Sequence, residues 1–492
     1  MAARAEPVLS LNLRLLLVGL ASSGIYLFLL SNWWLWDHFP PDDKGPLAVK
    51  GNVIEYGLAV TGLFALYALA CWLASRISGK GWSALLVFGF PIGIAGILLL
   101  AFPTTSGDIF YYMMSGRIFW EHGDSPFVSL MANYPEDSYL YYVDPFQRLD
   151  ASPYGPLWTL ASGLPALLPQ GNPELVLIGY KALSTAAFLA TAAVIWLILG
   201  ELRPQQRLLG VTLFAWNPLL LLMVASNGHN DAVMMFFAVL ALYFAIKNRW
   251  QLAIPLLIAS ALVKYVTLLL LPFFLYYAWR QTAAGNRRTF WLGIVAGLGV
   301  AVAVFAPLWE GFDTFDSQTN NQRSWFITSF AELAFYTLDR FSSMNIALQA
   351  ARALAALGFF VLYLLLLLRL RARKDDLVTV SCLALFLYVL FGSTLFYPWY
   401  MVWVLSFAAC LTTGVWAWSA YLLSFTAVFL ELITVVGTQF QFMDGSPAIR
   451  SGLAVLVGLA PPATLWAYLA WRHRAWDWRP QHRRLEMAAE VS

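Results

Sequence analysis

The stretch that decides the fold is WQLAIPLLIASALVKYVTLLLLPFFLYYAW, residues Trp250–Trp279. It carries a single charge, Lys264, near its centre, and Arg249 and Arg280 flank it. A membrane crossing needs about 20 apolar residues, and basic residues favour the cytoplasmic side of a membrane. With both ends on the cytoplasmic side, the stretch is not one crossing. We therefore predict two short arms that enter the membrane and turn at Lys264 and Tyr265.

Similar apolar runs recur along the chain, which has 492 residues, 60% of them hydrophobic and 12% charged. Soluble domains carry about 25% charged residues, so the composition excludes an ordinary soluble protein. The runs predict an all-α integral membrane protein with about 13–14 membrane segments. No linker marks a second domain, and we expect a single polytopic domain over residues 1–492. The three cysteines lie in apolar runs without a CxxC pattern, which indicates neither a disulfide framework nor a cysteine metal site.

The basic residues between the apolar runs fall in short groups, and the segments between these groups are longer and more acidic. Because Lys and Arg accumulate in cytoplasmic loops, this alternation predicts that both termini are cytoplasmic. It places two large loops on the external face, residues 103–172 after the third span and residues 309–343. The basic groups are Arg76 and Lys80, Arg203 and Arg207, Lys247 and Arg249, Arg280 with Arg287 and Arg288, Arg369 to Lys374, and Arg472 with Arg474.

Several ionisable residues fall within the apolar runs or near their ends, where a charge is costly and therefore suggests a function. Lys264 has no membrane end within reach, so snorkelling to the headgroups explains it poorly. The others each fall within about two helical turns of a predicted outer end. They are Glu55, Lys181, Asp231, Arg352, Glu431 and Arg450. Either each of them snorkels separately or the set lines a water-filled cavity that opens outward, and we favour the cavity.

The first external loop begins with FPTTSGDIFYYMMSGRIFWEHGDSPF, residues Phe102–Phe127. Its centre predicts an amphipathic helix at the membrane surface. Asp108 and Tyr112 share one side of this helix, whereas Arg117 points roughly the opposite way and has Glu121 as its i+4 partner. Asp108 is either a first-turn carboxylate that the helix dipole stabilises by about 0.3–1 kcal/mol, or a carboxylate that takes part in catalysis. This stretch alone leaves both interpretations open.

Two aromatic stretches lie at predicted outer ends, DASPYGPLW at Asp150–Trp158 and LFYPWYMVW at Leu395–Trp403. Prolines and a glycine fix the backbone of the first stretch. Tyr154, Trp399 and Tyr400 are either interfacial anchors or faces on which a sugar stacks.

The stretch ASNGHNDAVMMF joins two apolar runs and contains Asn227, His229, Asn230 and Asp231. A tight turn needs Asn and Gly, and Asp can cap the following helix, but a turn does not need His229. Amide, imidazole and carboxylate groups within one bend suit the recognition of hydroxyl or phosphate groups.

Taken together, these stretches resemble the GT-C class of multi-spanning glycosyltransferases. They are most similar to bacterial mannosyltransferases that take mannose from a polyprenyl-phosphate carrier. The resemblance covers roughly residues 82–412 and rests on the order and sidedness of several short motifs. These motifs are Asp108 with Tyr112, Gly123–Phe127, Ser152–Leu157, Asn227–Ala232, Ala261–Lys264 and Pro398–Tyr400.

The resemblance implies transfer of a hexose, mannose above all, from a polyprenyl-phosphate donor to an envelope glycan or glycolipid at the external face of the plasma membrane. Asp108 is the candidate catalytic base, and a single base with direct attack predicts inversion at the anomeric carbon. Lys264 and His229 are the candidates for binding the donor phosphate. The candidates for binding the sugar or the acceptor are Tyr112, Tyr154, Asn227, Asn230, Asp231, Trp399 and Tyr400. No metal ligand is assigned, a divalent ion is left open, and no nucleic-acid partner is expected.

The sequence also departs from the resembled family. Many GT-C enzymes place a second acid soon after the first, and here Asp124 is the candidate equivalent, in a turn-like stretch. A different class of function, a transporter or flippase for lipid-linked sugars, would be expected to show internal repeats, and we find none. A non-catalytic subunit of envelope assembly stays open as a third reading.

Overall fold

The computed structural model describes residues 8–41, 50–77, 81–282, 287–315, 327–368, 370, 374–439 and 447–472. These parts of the chain are helical, and β pairing within them amounts to isolated bridges such as Trp34 with Ala101. The prediction of an all-α membrane protein is therefore confirmed.

The longest segment between consecutive α-helices of the described chain, residues 121–155, separates the fifth and the sixth. The first eleven are α1 Val8–Asn32, α2 Leu35–His38, α3 Lys50–Arg76, α4 Trp82–Leu99, α5 Asp108–Trp120, α6 Pro156–Ala161, α7 Gly163–Ala166, α8 Pro173–Leu202, α9 Arg207–Ala215, α10 Pro218–Leu221 and α11 Asp231–Ile246. The others are α12 Trp250–Val263, α13 Leu271–Gln281, α14 Arg288–Phe305, α15 Phe330–Leu338, α16 Met344–Leu368, α17 Lys374–Leu387, α18 Met401–Leu411, α19 Val415–Gln439, α20 Pro447–Ala454 and α21 Ala460–Arg472.

By length and composition, 7 described helices can cross a membrane, or 8 when the pair Pro204–Ala215 and Pro218–Ser226, bent by 52°, counts as one span. The 7 are α1, α3, α4, α8, α14, α16 and the continuous pair α20–α21. The predicted count was 13–14 segments, and further apolar runs form shorter helices, such as α11, α12 and α18. Several runs are interrupted, as at Pro218, where a proline starts a new helix after Asn217. The protein is a multi-pass membrane protein.

The predicted break at Lys264 is present. Helix α12 ends at Val263, Lys264 has extended backbone angles (φ −157°, ψ 124°), and a 3₁₀ turn over Tyr265–Leu270 precedes α13. The apolar run at Trp250–Trp279 therefore consists of two short helices, and the only charged residue of the run lies at their junction.

Helix α5 is buried on nearly all sides, with every residue from Ile109 to Gly116 inaccessible. The prediction of an amphipathic surface helix is therefore wrong. The reason is the long segment that follows, which folds back over α5 and packs against it through the turn at Ser138–Tyr142 and through α6 and α7. Asp108, at the first position of α5, thus lies inside the protein fold and not on an open membrane surface.

Arg117 has a structural role, but its partner is Asp137 and not Glu121. Its Nε lies 2.9 Å from Asp137 Oδ2, its Nη1 donates to Gln170, and its guanidinium lies over the Tyr139 ring. Burial would raise the pKa of Asp137, but the Tyr139 N–H, His122 and Arg117 together lower it below the usual value. These bonds favour the charged form of Asp137. The bond between Arg117 and Asp137 joins the loop to α5.

Lys181 contributes to the fold rather than to a charged cavity. Its side chain is completely buried, and Nζ donates hydrogen bonds of 2.6–2.8 Å to the carbonyls of Leu98, Leu99 and Ala101. These are carbonyls at the C-terminus of α4, where a cation is favoured. Lys181 therefore fixes the point at which the chain leaves α4 for the long loop. Glu431 was predicted, like Lys181, to lie near an outer end, and its side chain is not among those that the structure describes.

The basic groups predict the sidedness of the loops, and two exposed positions test it. Cysteines at Asp313 and Lys247, in a background without the native cysteines, are expected to react with an impermeant maleimide from opposite faces of membrane vesicles. Asp313 should label from outside. Replacing Lys247 removes only a half-exposed ion pair with Glu201, which costs little. Labelling of both positions from one side would contradict the assigned sidedness.

Candidate active site

A close backbone contact brings the long loop to the break at Lys264. The Gly155 N–H donates to the Val263 carbonyl at 2.9 Å, and a Cβ atom at Gly155 would lie 2.1 Å from the Leu262 carbonyl oxygen. No other residue type fits so close an approach. The contact places Tyr154 beside Lys264, with the ammonium 5.8 Å from the ring centroid.

The turn between α10 and α11 forms the opposite side of the site. Gly228 adopts φ +75°, a backbone conformation that favours glycine, and Ile109 would obstruct any side chain there. Asn227 joins this turn to the start of the long loop, because its Nδ2 donates to Thr105 Oγ1 at 2.7 Å and its Oδ1 accepts from the Thr105 N–H. Both polar atoms of Asn227 are thus engaged within the protein.

Asp231 and Lys264 form an ion pair at the centre of the site. The Nζ atom lies 2.9 Å from Asp231 Oδ1, and the Trp403 indole N–H donates to the same oxygen at 2.5 Å. The Asp231 side chain is fully buried, whereas that of Lys264 is 20% exposed. The rings of Tyr400 and Trp403, each 5.3 Å from the ammonium, complete a cage with Tyr154. Aromatic faces stabilise a cation without consuming its hydrogen bonds.

Asp108 lies next to this pair. Its Oδ2 is 3.4 Å from the Tyr154 hydroxyl and 3.8 Å from His229 Nδ1, and the side chain is 19% exposed. Burial raises the pKa of Asp108 above the usual value, the charge of Lys264 opposes this rise, and the charge of Asp231 adds to it. A carboxylate with a raised pKa is a stronger base than a carboxylate with the usual pKa, and a stronger base suits the removal of a proton.

Four buried polar atoms around Asp108 and Lys264 have no hydrogen-bond partner among the described residues. They are both ring nitrogens of His229, Nδ2 of Asn230 and Oδ2 of Asp231. Buried polar groups are ordinarily satisfied, so a cluster of unsatisfied ones indicates the position of a polar ligand. Its mixture of donors and acceptors is the kind that hydroxyl groups satisfy.

Comparison with known proteins shows what this region is similar to. Residues 46–280 match the MptA/B family, described as alpha-(1->6)-mannopyranosyltransferase, N-terminal domain. The chain is also 24% identical over 178 residues to alpha-(1->6)-mannopyranosyltransferase A of Corynebacterium glutamicum. That match covers 36% of this chain and 35% of the relative. The resemblance to GT-C-like bacterial mannosyltransferases is thereby confirmed.

The matched region, residues 46–280, supplies Asp108, Tyr112, Tyr154, the turn at Asn227–Asp231 and Lys264. The part of the chain beyond residue 280 supplies Trp399 and Tyr400, which the structure brings to the same place. Tyr112 contacts the cluster through its hydroxyl, 3.4 Å from Asn230 Oδ1. Nine of the ten predicted site residues thus belong to one connected cluster, and the side chain of the tenth, Asn227, bonds to Thr105 beside it.

Asp124, the candidate second acid, is exposed in the long loop and accepts a hydrogen bond of 2.6 Å from the Tyr134 hydroxyl. The second carboxylate beside Asp108 is instead Asp231, whose charge raises the pKa of Asp108. Within the described residues, no group of three or more His, Cys, Asp or Glu side chains is arranged to hold a metal ion.

Sequence reasoning missed two residues of the candidate site. Trp403 lies in the quoted stretch Leu395–Trp403, one helical turn beyond Trp399, and that spacing could have identified it. Gln147 had no such signal. It lies in a 3₁₀ turn of the long loop, and a hydrogen bond from its side chain lowers the pKa of Asp108.

Proposed function

We propose that the protein is a membrane glycosyltransferase that moves mannose from a polyprenyl-phosphate carrier to an envelope glycan or glycolipid. The observation that carries this proposal is the placement of Asp108, a candidate base, beside the aromatic cage of Lys264, a candidate cation for the phosphate. Both lie in the region that matches the mannopyranosyltransferase family. The sidedness of the basic loops supports a site on the external face of the plasma membrane.

In the proposed reaction Asp108 accepts the proton of an acceptor hydroxyl while that oxygen bonds to the anomeric carbon of the donor. The bond from this carbon to the phosphate oxygen breaks, and its electron pair stays on the phosphate. Attack opposite the leaving group inverts the anomeric configuration and forms no covalent sugar–enzyme intermediate. A positioned general base typically accelerates such a step by about 10²–10⁴-fold.

Lys264 would stabilise the departing phosphate. Its side chain is the accessible member of the ion pair, so a phosphate oxygen could approach the ammonium from the open side while Asp231 holds the other side. A cation already fixed in place stabilises developing negative charge without reorganisation. The sugar hydroxyls would satisfy Asn230 Nδ2 and Asp231 Oδ2, and the rings of Tyr154, Trp399 and Tyr400 would flank the sugars.

The alternative of a transporter or flippase finds less support. The matched family is one of transferases. Moving a lipid across the membrane does not require a base beside the caged Lys264 ammonium, whereas glycosyl transfer does.

A transfer assay tests the proposal. Purified full-length protein in detergent or liposomes is incubated with radiolabelled polyprenyl-phosphate mannose, the glucose analogue, or GDP-mannose, together with mannose-containing glycan fragments. We expect label in the glycan from the mannosyl lipid only. Direct use of GDP-mannose would contradict the lipid donor, and movement of intact lipid between leaflets without transfer would favour a flippase.

A further inference from the structure

His229 occupies an unusual environment. Its side chain is completely buried, and neither ring nitrogen has a hydrogen-bond partner among the described residues. Its Nδ1 lies 3.8 Å from Asp108 Oδ2, about 1 Å beyond an ordinary hydrogen bond. Catalytic hydrogen bonds are often this long before substrate binds and shorten in the complex.

The plane of the imidazole is fixed by stacked rings. His229 lies against Trp399 with ring centroids 4.0 Å apart and planes at 19°, and Trp399 in turn stacks on Tyr397 at 4.3 Å and 8°. The backbone N–H of His229 donates to the Met223 carbonyl. The ring is thus held from its face and from its backbone, and the edge that carries Nδ1 faces Asp108.

We propose that His229 is a positioning residue for Asp108, whose Oδ2 accepts a hydrogen bond from the Nδ1–H of the imidazole. This proposal rests on the function proposed above. In it, His229 orients the base Asp108 and does not bind the donor phosphate. The Tyr154 hydroxyl contacts the same Oδ2, so both groups orient the carboxylate from one side. Its other oxygen is then directed to the acceptor hydroxyl.

The proposal has a consequence for the acidity of Asp108. A donor that bonds to the charged carboxylate lowers its pKa, so His229 would offset part of the rise that burial causes. Without the Nδ1 donor, the pKa of Asp108 rises further, and the base is lost at a higher pH. The other titratable groups that face Asp108 are Tyr111, Tyr112, Tyr154, Asp231, Lys264 and Tyr400. They are unchanged in the test below.

Two variants distinguish the nitrogens of the ring. The amide nitrogen of Asn falls near the position of histidine Nδ1, whereas the amide of Gln reaches the position of Nε2. If His229 acts on Asp108, His229→Asn keeps most of the wild-type rate and His229→Gln loses up to about 10²-fold in kcat/KM for the acceptor, the scale of a misplaced catalytic group. The donor KM stays unchanged in both, and the acidic limb of the pH profile moves to higher pH in His229→Gln alone.

A second measurement does not depend on turnover. The pKa of Asp108 is followed in pH-difference infrared spectra, with the Asp108→Asn variant identifying its carboxyl band, and thermal melting shows that each variant is folded. We expect the band to titrate at higher pH in His229→Gln and near the wild-type pH in His229→Asn. Equal titration in all three proteins would overturn the proposal. So would a raised donor KM in His229→Asn with a normal His229→Gln, because Nε2 would then serve the phosphate. An inactive wild type with the expected infrared shifts would instead contradict the transferase function and leave the contact with Asp108 supported.

Discussion

Asp108→Asn is expected to lower the turnover number by at least about 10²-fold while donor binding stays close to that of wild type. Asparagine keeps the size of the side chain and can still accept a hydrogen bond from Tyr154, but it cannot take up the proton of the acceptor hydroxyl. The measurement compares the transfer rate at saturating substrates with the affinity for the polyprenyl-phosphate donor. A loss of both together would indicate damage to the site rather than removal of the base.

Asp124→Asn is the matched control, because it makes the same change in the same loop. Asp124 is exposed and bonds to Tyr134, so we expect turnover near the wild-type value. Normal turnover in Asp108→Asn would leave Asp108 as a helix-end residue and remove the catalytic assignment. If Asp124→Asn alone abolished turnover, the base would be the other acid.

Lys264→Met is expected to weaken donor binding and also to destabilise the protein. The substitution removes the cation proposed to hold the phosphate, and it leaves the buried Asp231 carboxylate without its ion-pair partner. Breaking a buried pair by removing one member typically costs about 3–5 kcal/mol. Loss of activity in this variant alone therefore does not separate binding from folding.

The double variant Lys264→Met, Asp231→Asn separates the two effects. With Asp231 neutralised, no charge is left unpaired, and the indole N–H of Trp403 can still donate to the asparagine oxygen. We expect the double variant to recover much of the melting temperature that Lys264→Met loses, while donor binding stays weak. Donor binding at the wild-type level in the double variant would show that the caged ammonium is a structural group.

The site was more predictable from sequence than the surroundings that hold it. The break at Lys264, the turn at Asn227–Asp231 and the outer aromatic stretches each have a local cause, such as an intramembrane charge, a glycine turn or a proline. Because the predicted sidedness placed them on one face, their convergence around Asp108 could be expected. The contacts between these side chains could not be predicted, because the pairing of Lys264 with Asp231 and Trp403 depends on how distant helices pack.

The burial of α5 and the roles of Lys181 and Arg117 show the same limit. Each depends on contacts between residues far apart in the chain, such as Lys181 with the end of α4. Local spacing gave Arg117 a partner in Glu121, but the folded loop offers Asp137, which several donors hold in its charged form. Apolar runs also do not show where a proline or a polar residue interrupts a helix, as at Asn217 and Pro218.

The contact between Gly155 and the end of α12 determines when the site can form during synthesis. The loop that carries Asp108 and Tyr154 emerges from the ribosome before Leu262 and Val263, which receive Gly155, have been made. Until α12 is in place, the loop has no docking surface at this end, and the carboxylate and the ammonium remain apart. The last aromatic walls, Tyr400 and Trp403, arrive later still. A nascent or truncated chain would thus hold every residue of the matched region 46–280 and still lack the complete candidate site.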